Sequence, residues 1–360
     1  MTRLKKILIL TAFPPSNYGA GLNYTLNLVK DLQKSYTIDI IYFDFPGIEM
    51  TIPFFKRISN TFILKLFRTF FFPFLHPYYT CRFSWLLLFR IVKIKDNYDY
   101  IYFDFNTVHI YSLFIKHKAK ILMLHDVVIQ KYKRRKGLFN CVQSFWIYYS
   151  EKVILNYSHG SFFVFSKKDQ NILLKVFKKN SKIVDFYIGE KVLQTKPDKI
   201  ISQFCFMGTW NRIENYESLL FFIHTVLPYI KAEDKFIIIG GGMPQSFSKE
   251  TNDPRLDYIG FVDNPYGLIS HSKALIAPLF HGAGVKVKTL EALMCGIPVI
   301  GTRVAFEGID PGMLKYSKCC VTSRDFVMAI NNFDSKYYNR IEWKEFIITM
   351  YPKRKLIDYL

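Results

Sequence analysis

The stretch PLFHGAGVKVKTLEALMCGIP, residues 278–298, combines a loop, a helix and a helix stop within 21 residues. An apolar run precedes it, Gly282 and Gly284 open the loop, and an amphipathic helical pattern follows. Gly296 and Pro298 then end the helix and lead into a further apolar run. This alternation of strand and helix is typical of βαβ units in a parallel sheet.

The same alternation continues in both directions along the chain and predicts an α/β protein. Segment 189–202 has weak periodicity and is predicted to link two Rossmann-like domains, 1–188 and 203–340. A C-terminal helix over 341–360 is expected to pack back toward the first domain. The predicted strands are 7–11, 37–43, 100–103, 120–124 and 161–165 in the first domain, and 203–207, 235–239, 256–258, 274–277 and 298–300 in the second.

Composition narrows the class of protein. The 360 residues are 50% hydrophobic and 22% charged, which excludes a disordered chain and a small disulfide scaffold. The six cysteines form no C-x-x-C pair, and the N-terminal apolar run is too short for a signal peptide. We therefore expect free thiols in a cytoplasmic protein.

The net charge of +20 is concentrated in the first domain. Residues 51–95 carry eight basic side chains, no acidic ones and thirteen aromatic ones, and a second basic run covers 131–136. Their apolar runs are shorter than the roughly 20 residues that span a bilayer, so they favour a surface lying in the headgroup layer of an anionic membrane. The alternatives are a solvated basic loop beside an aromatic core helix, or a nucleic-acid-binding surface. Nucleic acid is the less favoured partner, because no helix-turn-helix, zinc or RNA-binding motif is present.

Ligands in such sheets lie beyond the carboxyl ends of the strands, so the loops there are candidate sites. Gly19 and Gly21 follow the first strand and permit close backbone approach before a helix whose N-terminal amides favour an anion. The G-x-G-x-x-G spacing of a dinucleotide site is absent. The two glycines could equally serve only a tight turn.

Loop and helix 282–295 predict a phosphate site. Unpaired amides at the helix start, the charge of Lys288 and the carboxylate of Glu291 on the same face suit a diphosphate with a ribose diol. Lys286 reaches the same phosphate only if the helix begins after it. The alternative is a solvent-exposed Lys-Glu pair with no ligand.

These segments together resemble retaining GT-B glycosyltransferases of family 4, the glycosyl transferases group 1 of bacterial surface-polysaccharide synthesis. The resemblance extends over nearly the whole chain. It rests on the Gly-containing loop after the first strand, the His125-Asp126 pair, and segments 206–211, 237–242, 259–262 and 284–300. It implies the GT-B fold, with two Rossmann-like domains facing each other across a cleft.

The resemblance also implies roles for individual residues. His125 would touch the donor sugar or position the acceptor, and Asp126 would orient the imidazole or receive an acceptor hydroxyl. The implied catalytic residues are His125, Asp126 and Glu291. The candidate donor-binding residues are Gly19, Gly21, Gly208, Arg212, Gly240, Phe261, Val262, Gly282, Ala283, Gly284, Lys286, Lys288 and Glu291.

Two departures from the family pattern are visible. Ala283 stands where the first of the family's two glutamates is usual, and Thr209 and Asn215 stand roughly where an Arg and a Lys would hold the diphosphate. We expect Arg212, Lys286 and Lys288 to take over the anion. A catalytically silent GT-B partner subunit is the alternative.

The expected activity is that of a hexosyl- or related glycosyltransferase acting with retention. Its substrates would be a nucleotide-diphosphate sugar and a lipid-linked or surface-polysaccharide acceptor, at the inner face of the cell membrane. The chain has no Asp-x-Asp pair, so we expect no metal site and no cofactor. A nucleotide-sugar epimerase is less favoured, because acid-base residues for it are not evident in the sequence.

Overall fold

The computed structural model of the protein describes residues 3–17, 19–48, 50, 52–134, 138–197, 203–247 and 252–360. It divides into two compact units. The first unit comprises the described residues up to Tyr187 together with Arg354–Leu360, and the second comprises those of Ile188–Lys353.

The first unit is built on a parallel sheet with the strand order β3-β2-β1-β4-β5-β6-β7. The strands are β1 Lys6–Thr11, β2 Thr37–Phe43, β3 Lys56–Ile58, β4 Tyr100–Asp104, β5 Lys120–Leu124, β6 Ser161–Val164 and β7 Lys182–Ile183. The central strands are buried along almost their whole length, which explains their continuous apolar sequences. The helices are α1 Ala20–Leu32, α2 Phe62–Thr69, α3 Pro77–Thr80, α4 Trp85–Ile94, α5 Ile129–Lys133, α6 Leu138–Tyr157 and α7 Lys167–Phe177.

The second unit repeats this architecture with a parallel sheet of order β10-β9-β8-β11-β12-β13. The strands are β8 Gln203–Met207, β9 Lys235–Ile239, β10 Leu256–Gly260, β11 Leu275–Ala277, β12 Val299–Gly301 and β13 Lys318–Cys319. The helices are α8 Glu190–Leu193, α9 Ile213–Thr225, α10 Tyr266–His271, α11 Val287–Met294, α12 Ser323–Asn331 and α13 Arg340–Met350. The prediction of an α/β fold with two parallel sheets is confirmed.

Each strand predicted from the sequence is present, with bounds that agree within one or two residues. The strands β3, β7 and β13 were not predicted. All three are only two or three residues long and lie at sheet edges, where one side of the strand is unpaired. Such short segments carry too few residues for a recognisable pattern.

The predicted linker and C-terminal helix differ from the structure in detail. Within 189–202, α8 belongs to the second unit, where the Lys344 ammonium donates to the carbonyl of Val192, and residues 198–202 lie outside the described residues. The prediction of a single helix over 341–360 is wrong. Helix α13 ends at Met350 within the second unit, and only 354–360 belongs to the first, where Arg354 pairs with buried Asp185.

Within segment 51–95, the described residues 52–95 include β3 and α2 to α4, and the basic side chains there do not all face solvent. Arg68 is buried and donates to Asn60 Oδ1 at 3.0 Å, and Arg82 is buried and donates to the carbonyl of Ala12 at 3.1 Å. These two guanidinium groups hold the fold and do not belong to a charged surface. Arg57 pairs with Asp44 at 2.5 Å.

The described part of the chain contains no helix with the length and hydropathy needed to cross a membrane. Of the basic run 131–136, residues 135 and 136 lie outside the described residues.

Candidate functional site

The loop before α11 is shaped by two glycines and one lysine. Gly282 and Gly284 have φ angles of +121° and +66°, which non-glycine residues rarely adopt. The Lys286 ammonium donates to the carbonyls of Ala283 and Gly284, each at 3.0 Å, and lies 3.7 Å from Glu307. Helix α11 begins at Val287, directly after Lys286. This meets the condition under which Lys286 and Lys288 can reach the same phosphate. Lys286 thus braces the loop, and its contact with an anion stays a prediction.

Lys288 lies in the first turn of α11 and is turned toward α9. Its ammonium donates to Asn215 Oδ1 at 2.8 Å. Burial, together with the nearby charges of Arg212 and Lys286, lowers the pKa of Lys288 to about 7. Several cationic groups therefore converge at one helix start, an arrangement that an anionic ligand would stabilise.

Glu291 lies one turn further along α11 and is only 8% exposed. Its Oε1 accepts a hydrogen bond from the Tyr266 hydroxyl of α10 at 2.9 Å. Burial raises the pKa of Glu291 to about 7, opposed by that hydrogen bond and by the charge of Lys288. Glu291 is buried and hydrogen-bonded to Tyr266, whereas Lys288 is hydrogen-bonded to Asn215. This arrangement does not fit the alternative of a solvent-exposed Lys-Glu pair.

The carboxyl ends of β8, β9 and β10 are locked together by glycines. Gly240 has a φ of +122°, and a Cβ atom there would lie 1.8 Å from the carbonyl oxygen of Gly208. The Gly240 amide donates to the carbonyl of Gly260, and the Gly208 amide to that of Ile239. Close backbone approach of the two loops explains why position 240 is glycine, whereas a Cβ atom on Gly208 would lie 3.2 Å from the Asn215 side chain. Phe261, directly after β10, is 67% exposed, and the neighbouring Val262 is half-buried.

The loop after β8 shows how the departures from the family pattern are accommodated. Asn215 Nδ2 donates to the carbonyl of Thr209 at 2.9 Å while its Oδ1 accepts from Lys288. Asn215 therefore fixes Lys288 against the loop instead of supplying a charge itself. Arg212, the residue directly before α9, is exposed at the start of that helix.

In the first unit, His125 follows β5 and contacts the carboxylate of Asp104, which is not among the site residues predicted from the sequence. Its Nε2 lies 2.8 Å from Asp104 Oδ1, at the end of β4. The sequence predicts that Asp126 orients this imidazole or receives an acceptor hydroxyl; the structure places Asp104 against Nε2, and the role of Asp126 stays a prediction. Asp104 directly follows the predicted strand 100–103, so the rule that sites follow strand ends applies to it as well.

Gly21 lies beside His125, Glu151 holds the segment after it, and Gly19 lies directly before α1. A Cβ atom on Gly21 would lie 3.1 Å from the Phe105 ring and 3.6 Å from His125 Nδ1, so glycine leaves space beside the imidazole. Buried Glu151 accepts from the amides of Val128 and Ile129, and burial raises its pKa to about 8. Gly19 has a φ of +95° directly before α1.

Comparison with known proteins supports a transferase assignment for the second unit. The family model Glycosyl transferases group 1 matches residues 202–333. An uncharacterized 44.6 kDa protein in the cps region of Klebsiella pneumoniae is 26% identical over 248 residues. The match spans 61% of the chain and 61% of the length of that relative.

Solved structures share the fold at low sequence identity. WaaG, a glycosyltransferase involved in lipopolysaccharide biosynthesis, is 11% identical with a TM-score of 0.65, covering 97% of this chain and 96% of its own. Anabaena HepE in complex with UDP-glucose is 14% identical with a TM-score of 0.62, covering 99% of this chain and 100% of its own. The GT-B fold and the matched domain together support a glycosyltransferase of the GT-B type.

Proposed function

We propose that the protein transfers a hexosyl or related sugar, with retention, from a nucleotide-diphosphate sugar to a lipid-linked or surface-polysaccharide acceptor. The second unit binds the donor and the first binds the acceptor. The observation that carries this proposal is the start of α11, where the half-buried Lys288 and the buried Glu291 lie close to the loop that contains Gly282 and Gly284. Retention rests on the resemblance to family 4 alone.

The proposed donor site works by electrostatics. The amides in the first turn of α11 and the Lys288 ammonium stabilise the negative charge that develops on the leaving diphosphate. The exposed Arg212 at the start of α9 adds a second cation. Glu291 accepts hydrogen bonds from the ribose diol, and the leaving phosphate itself serves as the base. The UDP-glucose bound by Anabaena HepE supports a nucleotide sugar as donor.

The reaction is proposed to need neither metal nor cofactor, because helix dipole and lysine supply the charge that a divalent ion would otherwise provide. Added EDTA should therefore leave the transfer rate unchanged. The measurement is a release assay for nucleoside diphosphate, run with EDTA and again with excess Mg²⁺. Loss of turnover in EDTA that Mg²⁺ restores would contradict this part of the mechanism.

The acceptor is proposed to lie at a membrane because α2, α4, α6 and the segment after α2 in the first unit carry many exposed apolar side chains. Their exposed fractions reach 76% for Ile63 and 80% for Phe74. Trp146 of α6 donates to the carbonyl of Phe74, which ties the loop after α2 to α6. The apolar surface comprises Phe62, Ile63, Leu66, Phe67, Phe70 and Phe74 with Leu86 and Phe89 of α4 and Val142 and Phe145 of α6.

Charge favours an anionic bilayer as the occupant of this apolar surface. Arg90 and Lys93 are exposed on α4, Lys65 lies on α2, and no acidic residue occurs between 51 and 95. Aromatic and aliphatic side chains flanked by cations suit the headgroup layer. We therefore propose a cytoplasmic enzyme bound peripherally to the inner face of the membrane. The role of WaaG in lipopolysaccharide biosynthesis supports an acceptor of this class.

A thermal-shift panel tests the donor proposal. UDP, GDP, ADP and their sugars are added separately at high excess over the protein. A ligand at 100 times its dissociation constant stabilises the folded state by about 2.7 kcal/mol. We expect one nucleotide series to raise the melting temperature by about 5 °C or more. No shift with any nucleotide would favour the silent partner subunit, the alternative suggested by Ala283 at the position of the first family glutamate.

A further inference from the structure

Asp104 is a fully buried carboxylate surrounded by hydrogen-bond donors. Thr25 Oγ1 lies 2.6 Å and Thr11 Oγ1 3.1 Å from its Oδ2, while Oδ1 faces Tyr102 OH at 3.3 Å and His125 Nε2 at 2.8 Å. Each of these groups can donate, and an ionised carboxylate can only accept. The arrangement therefore fits an ionised Asp104 that accepts a hydrogen bond from a proton on Nε2 of His125.

Aromatic rings fix the plane of the His125 imidazole. Phe105 stacks on it with ring centroids 3.8 Å apart and an angle of 12° between the planes. Tyr24 and Phe165 contact it edge-on, with ring centroids 5.4 and 5.2 Å from the centroid of the imidazole. Phe105 has a φ of +70°, a strained conformation for a residue with a side chain. The surrounding structure maintains this strained backbone conformation, which holds the Phe105 ring nearly parallel to the imidazole.

The other imidazole nitrogen, Nδ1, lies beside Gly21. Among the residues that the structure describes, His125 Nδ1 has no hydrogen-bond partner. The missing side chain of Gly21 leaves room beside it, because a Cβ atom there would lie 3.6 Å from Nδ1. The ring thus has one nitrogen committed to Asp104 and one available.

We infer that Asp104 is a positioning residue that fixes His125 in the tautomer with its proton on Nε2, so that Nδ1 presents a lone pair to a carbohydrate hydroxyl. The tautomer assignment stands on the geometry of the first unit alone, whereas the hydroxyl rests on the proposed function. Asp104 itself touches no substrate. In the opposite tautomer Nδ1 would carry a proton, and the Nε2 lone pair would face the negative charge of Asp104.

The tautomer can be measured directly on the full chain by ¹⁵N NMR of histidine-labelled protein. A His125→Gln variant assigns the resonances. In the neutral ring of the wild-type protein we expect the Nε2-protonated form to exceed the other by at least about tenfold, as a hydrogen bond to a charged acceptor requires. A predominantly Nδ1-protonated ring, or an even mixture, overturns the inference.

Two isosteric variants distinguish the neighbouring carboxylates. Asp104→Asn should move the ring toward a mixed population, because the amide can accept from Nε2 or donate to it. Asp126→Asn should leave the tautomer ratio as in the wild-type protein. An unchanged ratio in Asp104→Asn would refute the positioning role. If Asp104→Asn does not fold, the wild-type ratio alone decides.

Failure of the proposed function is a separate result. It would appear as an absence of melting-temperature shifts with the nucleotides, which involves the second unit. The NMR measurement requires no nucleotide and no turnover, so the two results cannot be confused.

Discussion

Glu291→Gln and Lys288→Ala should each leave the protein folded and remove most of its affinity for nucleoside diphosphate. Glutamine can still accept the hydrogen bond from Tyr266, so the change removes the charge but not the packing. Hydrogen bonds to charged groups contribute about 1.5–3 kcal/mol each. Loss of one such bond predicts a rise of roughly 10- to 150-fold in the dissociation constant. Isothermal titration with the nucleotide found by thermal shift measures it, and turnover should fall in parallel.

Glu345→Gln is the matched control for this prediction. Glu345 lies exposed on α13 of the same unit, so the same chemical change should alter neither stability nor nucleotide binding. Melting curves of all three variants should stay close to that of the wild-type protein. Wild-type affinity in Glu291→Gln and Lys288→Ala would remove the donor site from the start of α11.

The lowered pKa of Lys288 adds a pH dependence to donor binding. A bound diphosphate favours the ammonium form and raises this pKa above its value of about 7 in the free protein. Its contribution to affinity is then complete below pH 7 and is lost as the pH rises through the higher pKa of the complex. Titrations in buffers of different ionisation enthalpy should show proton uptake near pH 8, and Lys288→Ala should abolish that uptake.

The strands and the loop-helix segment at α11 could be predicted because their signals are local. A buried parallel strand is a continuous apolar run, and the glycines and helix pattern of 282–295 are adjacent in sequence. The edge strands β7 and β13 have two residues each and carry no such signal. Their existence depends on pairing with β6 and β12, which the sequence does not reveal.

Side-chain partners were harder to predict, because they are set by residues far apart in the chain. Asp126 is adjacent to His125, whereas Asp104 is 21 residues away and meets it only because β4 and β5 are paired in the sheet. Arg68 and Arg82 look like surface charges in a basic segment, yet their partners are Asn60 and the carbonyl of Ala12. Charge counts along a sequence therefore overestimate the number of cations available to a membrane.

Replacing Ile63, Phe67 and Phe70 by serine should release the protein from anionic liposomes at all salt concentrations. These side chains are 61–76% exposed on α2 and the residue after it, so their loss should cost the fold little. Burying a large apolar side chain contributes about 1.5–3 kcal/mol. Partial burial of three side chains in the headgroup layer therefore predicts at least about a 100-fold loss in liposome partitioning. Co-sedimentation with vesicles of anionic and zwitterionic lipid measures it.

Leu174→Ser provides the matched apolar control. Leu174 is 48% exposed on α7, which packs against β6 and β7 at the opposite edge of the sheet from β3. Its replacement should leave liposome binding unchanged. Equal losses in both variants would mean that exposed apolar area in general, and not the surface around α2, holds the protein on vesicles.

Reversing Lys65, Arg90 and Lys93 to glutamate tests the electrostatic share of membrane binding. Arg57 and Arg68 are unsuitable for this purpose, because Arg57 pairs with Asp44 and Arg68 is buried. Each cation near an anionic leaflet contributes about 1 kcal/mol, so the reversal should weaken binding about 100-fold or more at low salt. At high salt exposed charges are screened beyond about 3 Å, and the reversed and wild-type proteins should then bind alike through their apolar side chains. Nucleotide binding should be the same in the reversed and wild-type proteins.

A nucleic-acid-binding protein would instead retain duplex or single-stranded DNA in a gel shift and would not bind lipid vesicles. That result would overturn the membrane proposal.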